Sequence, residues 1–363
     1  MKHYEYIIIG GGISGSSIAY QLHQHSDSIL VIDKLPDIKH SASGAAGAFL
    51  SPLLGKPNQF KTLVNQALKY STQFYKQNFP SDIDNCGTTR IPKNKIDEEK
   101  FQTYIPYMDF DFTKDQKGYF FKDASVVNSS SICNNMKKNI STELNYEVKQ
   151  INYTNNLWYI DQKYSATNLI LATGSFTNLI NQFYINIRPV WGQRIVIQTT
   201  TTVPHNYHKE CSVSRTIKKD SQTNILSIGA THHRFIQHQP ITQEDTDFLL
   251  EKANDIIKLE NIQVIDTLAG ARAASVDYFP LVGSIINSNT TLKQFPYLKH
   301  GTKVDSKRFT RYNNLYILNG VGGRGFVLAP YLANQLVQHI IQKSDLDKTI
   351  TVDRLFLREV KRG

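Results

Sequence analysis

Two kinds of apolar pattern alternate along the chain, and their order predicts an architecture. "YEYIIIG", Tyr4 to Gly10, is continuously apolar, the signature of a parallel strand covered on both faces. After the glycines, "SGSSIAYQLHQH" sets Ile18, Ala19 and Leu22 at helical spacing, and "SILVID", Ser28 to Asp33, is a second buried strand. Similar apolar strands recur much later, at "ATNLILATG" (Ala166 to Gly174) and "NNLYILNG" (Asn313 to Gly320). Polar, aromatic-rich segments such as "NLWYIDQKYS" and "WGQRIVIQTTT" lie between the buried strands, and their alternation suggests antiparallel strands. A helix over Gln243 to Leu259 is expected to cover that second sheet.

The predicted fold is therefore mixed α/β. A discontinuous Rossmann-type domain comprises residues 1–80, 141–186 and 268–349, and an inserted antiparallel-sheet substrate domain comprises 81–140 and 187–267. Residues 350–363 are expected to be a C-terminal tail.

Composition narrows the class. With 363 residues, 40% apolar and 20% charged, the chain can bury a large core and is not disordered by default. No apolar run approaches the roughly 18–20 residues that span a bilayer, and the Gly-rich start does not resemble a secretory signal. Cys86, Cys133 and Cys211 are far apart, which argues against a disulfide framework or zinc site and fits a cytoplasmic protein. A net charge of +10 admits tRNA, other nucleic acid or acidic lipid as a partner, although the basic residues are scattered.

Gly10-x-Gly12-x-x-Gly15 follows a buried strand and opens a helix, and Asp33 ends the next strand. In that context Gly10 allows a tight turn, Gly12 lets a pyrophosphate approach the backbone, and Gly15 lets the helix pack on the sheet. A second Gly-x-Gly-x-x-Gly, at Gly320, Gly322 and Gly325, leaves too little chain for another dinucleotide domain. The helix from Arg324 to about Leu336 instead suits a flavin ring, whose reduced pyrimidine edge is negative. The plainer alternative is a turn that only docks the last helix.

With these motifs the chain resembles the FAD-dependent oxidases of the D-amino acid oxidase and glycine oxidase type. The likeness also runs through "SASGAAGAFLSPLL" (Ser41 to Leu54), "LILATGSFT" (Leu169 to Thr177), "GARAASVDYFPLVG" (Gly270 to Gly283) and "LNGVGGRGFVLAP". Within the family, "SASGAAGAFLSPLL", "IRPVWGQ" and "IGATHHR" are similar to the oxidoreductase half of bifunctional enzymes that modify the wobble uridine of tRNA. The methyltransferase half of those enzymes is absent from this sequence, so only an oxidative step is expected.

The resemblance implies FAD, and it implies roles. Ile13 and Ser14 would offer amides to the pyrophosphate, Asp33 and Lys34 would border the ribose, and Ser41, Ala42 and Ser43 would lie by the phosphates. Ala46, Gly47 and Ala48 would pass along the flavin edge, and Ala172, Thr173 and Gly174 would complete the cofactor site. Val148 would hold the adenine through its backbone, and Gly322, Gly323, Arg324, Gly325 and Phe326 would meet the pyrimidine. His40 is the one attachment candidate for covalent flavin near that segment, and it reads as an ordinary loop histidine.

Oxidation of an amine by flavin asks the protein for orientation, dryness and a neutral amine, not for a nucleophile or metal. No metal site is expected: adjacent His232 and His233 on a strand point to opposite faces. What the substrate needs is an anchor for its carboxylate. Arg272 stands where the family carries that arginine, with Arg324 as a second cation and His232 and Tyr278 as candidates for the pocket wall. The competing role for Arg272 is a structural pair with Asp277.

Three functions stay open. The first is removal of the carboxymethyl group from carboxymethylaminomethyl-uridine in tRNA. The second is oxidation of free glycine, sarcosine or a D-amino acid, with release of hydrogen peroxide. The third is a non-catalytic flavin- and tRNA-binding subunit.

Overall fold

The computed structural model describes residues 1–176 and 179–362; Thr177, the last residue of "LILATGSFT", lies outside them. In chain order its first framing elements are β1 (Lys2–Ile9), α1 (Ile13–His23), β2 (Ile29–Ile32), α2 (Gln59–Asn78), α3 (Ser129–Met136) and β3 (Tyr164–Leu171). The inserted part follows with β4 (Ile187–Thr199), β5 (Asn224–Gly229), β6 (His233–Arg234), α4 (Gln243–Asn254) and β7 (Gln263–Ser275). Then come β8 (Leu281–Ile286), β9 (Arg311–Asn319), α5 (Gly325–Gln342) and α6 (Asp353–Val360).

The continuously apolar segments become the parallel centre of one sheet. β1 pairs in parallel with β2 and β3, and β3 pairs in parallel with β9. Ile7 and Ile8 of β1 are fully buried, one toward each face, because helices and further chain cover both sides. α1, α2 and α5 pack on one face, joined by Leu68, Leu328, Leu332 and Leu336. The "NLWYIDQKYS" segment forms an antiparallel hairpin ladder (Leu157–Ile160 against Tyr164–Ala166) that extends this same sheet.

The second sheet is built around two long antiparallel strands, β4 and β7, which stay in register from Ile187↔Ser275 to Val196↔Asp266. β5 and β6 pair with the other edge of β4. α4 covers this sheet through Leu249 and Ala253, which meet Ile195, Ile197 and Ile228 in a separate core, as its apolar spacing predicts. The boundary drawn at residue 268 falls inside β7, which starts in the second sheet and ends beside the first. Ala274 bridges to Val321 just ahead of α5. Arg272 therefore rides on the strand that joins the two layers.

One expectation needs correction. Residues 350–362 are not a tail: Val352 and, within α6, Leu355, Phe356 and Val360 are buried in the core on the other face of the first sheet. Two bidentate ion pairs tie it down, Arg354 with Asp277 (2.8 and 3.0 Å) and Arg311 with Asp353 (3.0 and 2.9 Å). Phe356→Ala is expected to cost about 3–5 kcal/mol, the range for a buried aromatic. Urea unfolding checks it; an unchanged midpoint would return the segment to the status of a tail.

Candidate active site

The first glycine turn is shaped by contact. A Cβ on Gly10 (φ +108°) would lie 2.2 Å from the Ala172 carbonyl oxygen, and one on Gly15 would lie 1.8 Å from that of Gly10. Only glycine permits this approach of β1, β3 and α1. α1 starts at Ile13 with no side-chain cap on Gly12, although Ser43 Oγ accepts the Ile13 N–H at 2.9 Å. Gly12, Ile13 and Ser14 line a cavity at the positive end of the helix. Asp33 accepts from Gly11 N–H (2.6 Å) and Leu35 N–H (2.9 Å), so its carboxylate first of all fixes the turn. Lys137, just past the end of α3, donates to the Gly11 carbonyl at 2.7 Å and adds a cation beside the turn.

Two adjoining cavities open from here. A groove of about 1650 Å³ runs past Gly10, Asp33, Lys34, Ser41, Val148 and Thr173. A second cavity of about 600 Å³ is lined by Ile13, Ser14, Ala46, Gly47, Ala48 and the segment Gly322 to Phe326. Gly12, Ala42, Ser43, Ala172, Gly174, Phe235 and Ala271 line both. Gly15 lies behind the wall, where it sets the packing of α1. Lys34 sits over the Phe176 ring and 4.0 Å from Glu147. Ser41 is held within its own loop, donating to the Ile38 carbonyl. Val148 is buried at the groove, and among the described residues its amide and carbonyl have no protein partner. His40 pairs with Asp37 at 2.8 Å on the surface.

An elongated dinucleotide fits this arrangement: a glycine cradle that any Cβ would fill, free helix amides midway, and backbone groups at Val148 left for an adenine edge. At the far end α5 begins at Gly325, again with no side-chain cap, after the short turn Gly322–Arg324. Those amides face the second cavity and suit a negative flavin edge.

The second cavity is also where cations converge. Arg272 donates to the Thr231 carbonyl at 3.1 Å, and Asp277 is committed to Arg354, so the structural pair of Arg272 with Asp277 is not formed. Arg324 donates to the Ser51 carbonyl (3.3 Å), and Arg90 donates to that of Pro52 (3.0 Å) while its Nε has no partner. No ion pair joins any of the three to a carboxylate among the described residues. Burial pulls all three guanidiniums down to about 10, with Arg324 adding to the effect on Arg90, and they remain protonated at neutral pH.

His232 opens into the cavity, while His233 pairs with Asp245 on the opposite side at 2.8 Å. Tyr278 stands at the rim, exposed. The small residues around Arg272 serve the backbone first. A Cβ on Gly270 would lie 2.6 Å from Ala42 Cα, so that glycine lets β7 cross the flavin-side loop. Arg90 and His208 were not singled out from sequence. They lie far apart in the chain and meet because Arg90 pairs with His208 across parallel strands.

Residues 5–339 match the family described as FAD dependent oxidoreductase, or DAO. The chain belongs to that family. It is an FAD-dependent oxidoreductase with a Rossmann-type fold, and its cofactor is FAD. Among solved DAO-type structures, glycine oxidase from Bacillus cereus superposes with a TM-score of 0.74 at 17% identity, covering 94% of this chain and 96% of that one. L-proline dehydrogenase from P. horikoshii gives 0.71 at 18%, over 100% and 99%. At sequence level the chain is similar to the tRNA 5-methylaminomethyl-2-thiouridine biosynthesis bifunctional protein MnmC. The match is 25% identical in Legionella pneumophila (strain Corby), over 93% of this chain and 54% of that protein. In Campylobacter fetus subsp. fetus (strain 82-40) it is 20% identical, over 100% and 61%. The chain thus spans little more than half the length of these curated relatives.

Two histidines give this DAO-family site a pH signature. Partial desolvation at the cavity wall, then Arg272, lowers His232 to about 4 from an ordinary 6.5 although the residue is exposed, and burial with Arg90 and Arg324 holds His208 well below that range. The unfolded chain takes up these protons more readily than the folded one. The folded state is therefore favoured above about pH 6.5 and loses stability as pH falls toward about 4. Urea midpoints across that window are expected to decline less steeply in His232→Gln than in the wild type.

Proposed function

We propose that this oxidoreductase acts on a secondary amine bearing a carboxymethyl group, and that its substrate is carboxymethylaminomethyl-(2-thio)uridine in tRNA. The observation that carries the reading is Arg272: a half-buried, charged guanidinium without a carboxylate partner among the described residues, facing the cavity that Ala46 to Ala48 line. A planar guanidinium binds a carboxylate bidentately, which would fix the adjacent methylene against the flavin-side wall.

FAD, when bound, accepts the hydride that leaves this methylene. The resulting carbon–nitrogen double bond takes up water, and the substrate separates into glyoxylate and aminomethyl-uridine. Amine oxidation needs the nitrogen uncharged, and the cationic wall of Arg272, Arg324 and Arg90 disfavours an ammonium there. His232, uncharged at neutral pH beside Arg272, adds no further cation and can accept a hydrogen bond. The cofactor roles proposed for Gly10, Gly12, Ile13, Ser14, Asp33, Lys34, Ser41 to Ser43, Val148 and Gly322 to Phe326 are supported by their places along the two cavities, and Gly15 acts through the packing of α1. A net charge of +10 and the likeness to MnmC favour tRNA as the carrier of the amine. No helix among the described residues is long and apolar enough to cross a membrane, and a tRNA substrate places the protein in the cytoplasm.

A second reading, oxidation of free glycine, sarcosine or a D-amino acid, is supported by the same anchor, since a cavity of about 600 Å³ accepts a free amino acid. Anaerobic bleaching separates the readings. The flavin should bleach with tRNA carrying the carboxymethylaminomethyl group, releasing glyoxylate; bleaching only with free amino acids would replace the tRNA reading, and bleaching with neither would mean a non-catalytic subunit. Arg272→Ala should keep its FAD and lose about 2–5 kcal/mol of substrate affinity. Normal turnover by that variant would refute the anchor.

A further inference from the structure

Two aromatic residues at the cavity mouth have no role in the chemistry above. Phe235 is 70% exposed and Tyr278 is 60% exposed, yet both line the cavity that holds Arg272. Both also sit in the left-handed backbone region, with φ of 64° and 68°. A bulky aromatic residue adopts that conformation only when the surrounding fold imposes it. Their positions follow from the sheet. The Phe235 N–H donates to the Pro189 carbonyl at 2.9 Å, just past the end of β6 on one side of β4. The Tyr278 N–H donates to the Ser275 carbonyl at 3.3 Å, where β7 ends on the other side of β4. The two residues thus follow the strands that pair with opposite edges of β4 near its start.

The surroundings are cationic. Arg188 is exposed, lines the same cavity and approaches the Phe235 ring at 5.9 Å. Arg234, beside Phe235, is also exposed and lines it, and neither arginine forms an ion pair among the described residues. An exposed aromatic pair over a pocket, edged by free guanidiniums, matches the needs of an unpaired nucleobase. Its flat face stacks on the rings, and its flanking phosphates meet the arginines. Free glycine or sarcosine has neither a ring to stack nor a phosphate to pair.

We infer that Phe235 and Tyr278 form a stacking rim that holds an extruded nucleobase of RNA over the cavity, with Arg188 and Arg234 on its flanking phosphates. This deepens the tRNA reading and rests on it. The rim positions the base; Arg272 below it receives the carboxylate carried by that base. The rim is thus a specificity device, set apart from the amine-oxidising wall.

The test compares two substrates on the FAD-loaded protein: tRNA bearing carboxymethylaminomethyl-uridine, and sarcosine, which presents the same N-substituted glycine without a base. Phe235→Ala and Tyr278→Ala should each lower the ratio of kcat/KM for tRNA to that for sarcosine about tenfold, through KM, in line with the loss of one stacked base. Phe235→Trp and Tyr278→Phe, which keep a stacking face, should restore the ratio. A ratio that does not move, or one that falls equally in the aromatic replacements, would overturn the rim while leaving the tRNA reading intact. Wild-type protein that oxidises sarcosine but never tRNA would overturn both.

Discussion

Charge without a partner governs this molecule. Arg272, Arg324 and Arg90 bring three guanidiniums to one cavity, each resting on a backbone carbonyl and none on a carboxylate among the described residues. Keeping such groups charged and buried is costly, and a fold selected only for stability would supply acids or replace the arginines. The nearest acid in sequence to Arg272, Asp277, is turned away to clasp Arg354. The arrangement leaves the cavity wall ready for an anion, which the carboxylate of the proposed substrate would supply.

The rest of the architecture serves that cavity. The parallel sheet and α1 build the dinucleotide groove, and the long β4–β7 ladder carries Arg272 from the second sheet to its edge. β7 reaches that place because Gly270 lets it pass over Ala42. α6 locks the end of the same region by holding Asp277 through Arg354, so a distant C-terminal helix helps keep Arg272 free.

What was legible in the sequence was local. Continuous apolar strands, glycine spacing and the small residues around Arg272 are short-range signals, and β1, α1 and the nucleotide turn follow from them. What was hidden depends on pairing between remote segments. Arg90 is brought to the site by strand register with His208, and Lys137 reaches the Gly11 carbonyl from the end of a helix far along the chain. Residues 350–363 read as a tail, yet Leu355, Phe356 and Val360 share one buried helical face. Asp33 was read for a ribose, and its carboxylate also has the prior task of fixing the turn.

The central claim is that the free guanidinium of Arg272 awaits the carboxylate of an amine. Methoxyacetate has the skeleton of an N-methylated glycine with an ether oxygen for the nitrogen, so it offers no amine to oxidise. A crystal structure of the FAD-loaded protein soaked in it tests the claim most directly. The carboxylate should pair with Arg272, with the methylene turned toward the flavin beside Ala46 to Ala48. A carboxylate seated elsewhere, or Arg272 found paired with an acid of the protein itself, would contradict it.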